Sequence, residues 1–184
     1  MKRLLSLFAL LLAGVAHAAS PLPSDSLYQL SVPLTDQDGL TAPFAAHRGT
    51  PQVVSMFYTS CTMVCPMIID TMKATRRAAG EPANLHLLAV SFDPERDDVE
   101  ALRRYAAVHK LDLRWWTLSR TPPQHTRSLA ALLGVQYRQL PGGDFNHSSA
   151  LLLLDGEGRL VARTGIIGRT DPDFVAAVRK ATAK

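Results

Sequence analysis

Two short apolar segments, QVVSMFY (52–58) and LHLLAVSF (85–92), are each followed by a stretch with helical periodicity. This alternation limits the fold more than any other feature of the chain. Both segments are rich in β-branched or bulky apolar residues and read as buried strands. From Cys65 to Ala79 the pattern turns helical, with Met67, Ile68, Thr71, Met72 and Thr75 on one side, and Gly80-Glu81-Pro82 stops it. A second helix is predicted over Asp97–His109, with Val99, Leu102, Tyr105 and Ala106 as its inner stripe and Asp97 as its cap. A third strand is predicted over Trp115–Leu118, then a helix over Pro123–Leu133 closed by Gly134. Ser149–Leu154 and Leu160–Thr164 flank Asp155-Gly156-Glu157-Gly158 and read as a β-hairpin. Asp171–Ala181 is a last helix with Pro172 in its first turn. At the front, Leu27–Val32 alternates like a strand and Thr35–Gly39 reads as a turn. Strands alternating with helices imply βαβ units, so the expectation is an α/β fold with a mostly parallel central sheet, flanking helices, and a C-terminal hairpin plus helix.

The chain has two cysteines, Cys61 and Cys65, between the first of these strands and its helix. Cysteines at the C-terminal end of an early strand make this a thioredoxin-like arrangement, whose chemistry sits outside the carboxyl ends of the strands. Three readings of the pair are open. A structural disulfide would close a very small ring, stabilising by only about 2 kcal/mol, and 47% hydrophobic content already allows a core. A redox pair is reasonable because a helix N-terminus favours thiolate, although three residues separate these cysteines and two are usual. A metal site is the third reading, since positions i and i+4 share one helical face and two thiolates there form a soft chelate. A third ligand must then come from elsewhere. His47, His86, His109 and His125 lie in a turn, a strand or helices, where surface or packing roles suffice. His147 follows the irregular segment Pro141–Asn146 and precedes a strand, in a loop that faces the cysteines in a thioredoxin-like layout.

Residues 1–18 have the basic start, apolar core and Ala16-His17-Ala18 ending of a cleavable secretory signal cut near Ala18. The apolar run is shorter than the ~20 residues of a membrane span, so a periplasmic chain with no stable membrane span is expected. Residues 19–26 read as a flexible lead-in and 27–184 as one domain. The charges, 20 Lys and Arg against 16 Asp and Glu, are interspersed. No basic stripe is visible along the chain, which argues against nucleic acid or anionic lipid as a partner.

The segments TSCTMVCP, SFDPERDDVEALRRY, LLGVQYR and NHSSALLLLDGEGRLV together resemble the SCO/SenC family of copper chaperones, from about Phe44 to Ile167. The resemblance implies that Cys61, Cys65 and His147 bind one copper ion, as Cu(I) or Cu(II). Two thiolates and an imidazole suit that metal, whereas a structural zinc site would show four protein ligands. Asp93 and Met63 are candidates for a supporting role. Met63 is a weak thioether donor between the cysteines, though packing is the expected role for it and for Met67. The resemblance further implies a metallochaperone, not an enzyme, in cytochrome c oxidase assembly. Its acceptor would be cytochrome c oxidase subunit II or another periplasmic copper chaperone. The alternative is a periplasmic thiol-disulfide oxidoreductase that reduces the acceptor's cysteines, with Cys61 and Cys65 as its redox-active pair. The chain departs from the family by having Thr62-Met63-Val64 between the cysteines and Asn146 before the histidine.

Overall fold

The computed structural model describes residues 20–183. In chain order its elements are β1 (Pro33–Asp36), β2 (Thr41–Pro43), β3 (Gln52–Phe57), α1 (Val64–Ala78), β4 (His86–Ser91), α2 (Val99–Val108) and β5 (Trp116–Arg120). Then follow α3 (Pro123–Leu132), β6 (Tyr137–Gln139), β7 (Phe145–His147), β8 (Leu151–Leu154), β9 (Leu160–Thr164) and α4 (Pro172–Thr182). Seven strands form one sheet in the order β2-β1-β5-β4-β3-β8-β9. The central strands β3, β4 and β5 are parallel. The flanking pairs are antiparallel, including the β8–β9 hairpin, so the parallel centre is framed by antiparallel edges. The thioredoxin-like α/β arrangement expected from the strand–helix alternation is observed, but the sheet as a whole is mixed and not mostly parallel, because the β1–β2 and β8–β9 pairs, each joined by a short connection that reverses the chain, extend it antiparallel on both sides.

Burial explains the centre. Every residue of β3 is buried, and β8 is four consecutive buried leucines. Such continuous apolar runs suit strands covered on both faces. Helix α1 packs its Ile68, Ile69 and Met72 stripe into this core.

Three local readings change. Leu27–Gln29 is a short 3-10 turn, because the Ser26 hydroxyl caps the Tyr28 N–H and Tyr28 turns inward against Phe44. The adjoining strand starts only at Pro33. Ser26, at the end of the expected lead-in, is buried and donates to the Glu157 carbonyl at 2.6 Å. Helix α2 is capped by Asp98, which accepts from Ala101 N–H at 2.7 Å, and not by Asp97. The segment before His147 is not wholly irregular. Its two ends pair as the hairpin β6–β7, and Gly142 and Gly143 make the turn at φ 103° and 92°, where a side chain would be strained. No helix among the described residues is long and apolar enough to cross a membrane. The expected signal segment 1–18 lies outside the described residues.

Candidate metal centre

Strand β3 delivers the chain into the Tyr58–Met63 loop, which ends at the start of α1. Nothing in the Met63 side chain caps that helix. The Cys61 sulfur takes the place of a cap, accepting the Cys65 N–H at 3.3 Å. Cys61 is half-buried, Cys65 is buried, and both are free thiols. Burial pushes the Cys61 thiol up, but the N–H groups of Cys65, Met63 and Val64 and the Cys65 thiol outweigh it, and the net shift is down. Burial, followed by the neighbouring Cys61, pushes the Cys65 thiol up, against the Tyr58 backbone hydrogen bond. One thiol therefore ionises more readily than an ordinary cysteine and the other less readily.

The loop is clamped from below by Asp97. This fully buried carboxylate accepts the Thr59 N–H at 3.0 Å, the Thr59 hydroxyl at 2.5 Å and the Ser91 hydroxyl at 2.5 Å. Asp97 therefore ties the end of β3 to the end of β4. A polar residue beside a predicted helix reads naturally as a cap, and the sequence holds no signal that distinguishes this clamp from one.

His147 arrives on β7. Its ring lies 5.0 Å from that of Phe92 and 6.0 Å from that of Tyr58 between centroids, within an aromatic wall that also includes Phe145. Its Nδ1 is 3.2 Å from the Ser148 carbonyl oxygen. With the proton on Nδ1 that contact is a hydrogen bond, and the Nε2 lone pair is left for a ligand. Tyr58 is pushed up to about 12, first by burial and then by the thiols beside it. It stays a neutral phenol beside the sulfurs.

The donor atoms of Cys61, Cys65 and His147 all lie within 4.8 Å of one another. Bonds of about 2.0–2.3 Å to one ion set three donors about 4 Å apart, so a small inward movement of the side chains closes the site. Two sulfurs and one imidazole form a soft donor set with an open coordination position. The fold thus unites the three residues singled out in the sequence, although His147 is remote from the cysteines along the chain.

The supporting residues fall differently. Asp93 is buried and paired to Arg96, whose guanidinium also reaches the Gly143 carbonyl and lies 5.5 Å over the Phe145 ring. Burial pushes the Asp93 carboxyl up, and Arg96 opposes that. Asp93 is not one of the three clustered donors. It braces, through Arg96, the hairpin that carries His147. Met63 does not pack as expected: it is 75% exposed at the tip of the cysteine loop, and Met67 is 45% exposed one turn along the helix. Neither has a cavity to fill, since Ile68, Ile69 and Met72 already occupy the inner face. His47 and His86 stack on each other at 4.0 Å, and His109 lies on Tyr105 at 4.2 Å. No other histidine joins the Cys–Cys–His group among the described residues.

The chain is similar to several known proteins. A curated relative, the SCO1 protein homolog of Bacillus subtilis (strain 168), is 22% identical over 152 residues, covering 80% of this chain and 79% of the relative. The fold matches that of Bradyrhizobium japonicum ScoI with copper bound at TM-score 0.69 and 24% identity, covering 83% of this chain and 98% of that one. It also matches BsSco, a member of the Sco family of cytochrome c oxidase assembly proteins in which a disulfide switch was identified. That match has TM-score 0.69 and 19% identity, covering 83% of this chain and 95% of the other. The SCO1/SenC family model matches residues 24–183, a span that takes in the cysteine loop, the Asp97 clamp and the His147 hairpin, and the chain belongs to the SCO1/SenC family.

Proposed function

We propose that this protein is an exported copper metallochaperone that binds one copper ion through Cys61, Cys65 and His147 and passes it to an acceptor protein. The observation that carries the reading is the convergence of two thiols and an imidazole within 4.8 Å beyond the C-terminal end of β3. Soft sulfur donors select Cu(I), and the imidazole adds affinity for Cu(II). Three protein donors leave a position through which an incoming thiolate or imidazole takes the ion by ligand exchange. Family membership and the copper-bound relative support copper as the metal. The oxidase-assembly family of BsSco supports an acceptor among respiratory oxidase copper sites, with cytochrome c oxidase subunit II as the first candidate. The basic, apolar and small-residue order of residues 1–18 supports export with cleavage near Ala18.

The test is an anaerobic copper titration of the reduced protein, with metal counted per chain after a chelator wash. One retained copper per chain is expected, and no retention above that of the Cys61→Ser, Cys65→Ser double variant rejects the reading.

A second reading is favoured by the opposed thiols. A Cys61 held down and a Cys65 held up suit attack by one sulfur on a disulfide and resolution by the other. Reduction of an acceptor's cysteines would precede loading, since thiolates bind copper and a disulfide does not.

A further inference from the structure

A cleft of about 500 Å³ lies between the second half of α1 and the loop that leads into β5, lined by Lys73, Arg76, Arg77, Lys110, Arg114 and Trp115 among others. Glu81 and Asp112 are the acidic residues of the lining, so five cations face two carboxylates. The cations come from two segments far apart in sequence. For that reason the charge looks interspersed along the chain and is concentrated only in the fold. Asp112 is taken up by Arg114 at 2.5 Å, and Glu81 stands 4.0 Å from Arg76. Lys73 donates to the His109 carbonyl at 2.6 Å and pairs with Asp70 at 3.5 Å. The exposed side chains of Arg77 and Lys110 make no hydrogen bond or ion pair among the described residues.

Two further features fix the cations in place. Arg76 and Arg114 both lie over the Trp115 ring, at 4.6 and 5.8 Å from its centroid, so two guanidinium groups are oriented before any ligand arrives. Glu81 and Lys110 are the non-glycine residues with positive φ among the described residues, at 52° and 51°, and both line this cleft. Glycine is the least strained choice at such positions, yet each carries a charged side chain here. Like charges gathered this closely repel one another, and an anion of matching size relieves that repulsion.

We propose that this cleft is a binding site for a phosphate-bearing ligand. Guanidinium forks match phosphate oxygens in pairs, the two lysines add point charges, and the cleft has the volume of a small-molecule site. The ligand source is either free phosphate or a phospholipid headgroup. The inference stands apart from the metal reading, because no residue of the cleft belongs to the three-donor group.

The chain contains two tryptophans, Trp115 and Trp116, and both line the cleft, so their emission reports its occupancy directly. The experiment titrates the reduced, metal-free protein with sodium phosphate, using sodium chloride to hold ionic strength constant. A parallel titration uses phosphatidylglycerol–phosphatidylcholine vesicles. A saturable emission change is expected with phosphate. It should weaken about tenfold or more in the Arg77→Glu, Lys110→Glu double variant, in line with losing two charge-assisted contacts, while the copper titration of that variant is unchanged. The milder Arg77→Gln, Lys110→Gln pair serves if charge reversal impairs folding. Vesicle binding that phosphate competes away identifies a lipid headgroup as the source, and phosphate binding without vesicle binding identifies free phosphate. No saturable phosphate response, a response undiminished in both variants, or vesicle binding without a phosphate response overturns the proposal.

Discussion

The Cys65 backbone N–H donates to the Cys61 sulfur at 3.3 Å, so the first of the two thiols caps the helix that begins at Val64. Capping and the proposed ligation use the same sulfur. Cys61→Ser keeps a weak cap but removes a soft donor, and Cys65→Ser removes the other. Each substitution is expected to abolish chelator-resistant copper binding while costing about 1 kcal/mol or less of stability. Metal analysis after gel filtration, beside urea unfolding of the metal-free variants, checks both halves.

His147 contributes an imidazole braced by Phe92 and Tyr58. His147→Ala should weaken Cu(II) binding by a factor of about one hundred or more and Cu(I) binding much less, because two thiolates alone hold Cu(I). Competition against chelators selective for each oxidation state gives the two factors. Equal retention of both ions by the variant would remove His147 from the ligand set.

Asp93 acts on the His147 hairpin at one remove, through Arg96 and the Gly143 turn. Asp93→Ala is expected to loosen the hairpin and to reproduce part of the His147→Ala defect toward Cu(II), with Cu(I) binding unchanged. The spectrum of the Cu(II) form is the useful readout. A purely structural role for Asp93 would lower stability without altering it.

Asp97 is buried with three hydrogen bonds to Thr59 and Ser91. Truncation strands these donors, and Asp97→Ala should destabilise the metal-free protein by about 3 kcal/mol. Urea unfolding measures this as a lower midpoint with an unchanged slope. A loss under about 0.5 kcal/mol, the level of an ordinary surface change, would mean that the loop does not depend on this clamp.

The stacked pair His47 and His86 sets an acid limit. Burial, then the charge of His47, pushes His86 down to about 3 from the usual 6.5, and burial alone lowers His47. The folded state therefore prefers the neutral rings. As pH falls below 6.5, the unfolded chain takes up protons that the folded chain refuses, so stability declines with acid toward about pH 3. The slope from His86 is at most about 1.4 kcal/mol per pH unit. In the metal-free protein His86→Gln should flatten this decline between pH 6.5 and 4.5. An unchanged slope would place the acid sensitivity elsewhere.

Much of this protein was legible in the sequence, because it rests on local periodicity. The apolar runs around Val53 and Leu88 specify buried strands, the Ile68 and Met72 stripe specifies the inner face of α1, and a four-residue spacing keeps Cys61 and Cys65 together at the start of that helix. Neighbours along the chain suffice for each of these. The family pattern marked His147, but only the tertiary structure brings its imidazole to the sulfurs, through a hairpin too short and too exposed to show periodicity. Asp97 and Asp98 are adjacent acids before one helix, and nothing local distinguishes the cap from the clamp. Their roles follow from which one the end of β3 meets. The cations of α1 and of the β5 approach are likewise balanced by acids when counted along the chain. They form one basic cleft because α1 and that loop pack side by side, and charge interacts through distance in space and not through position in sequence.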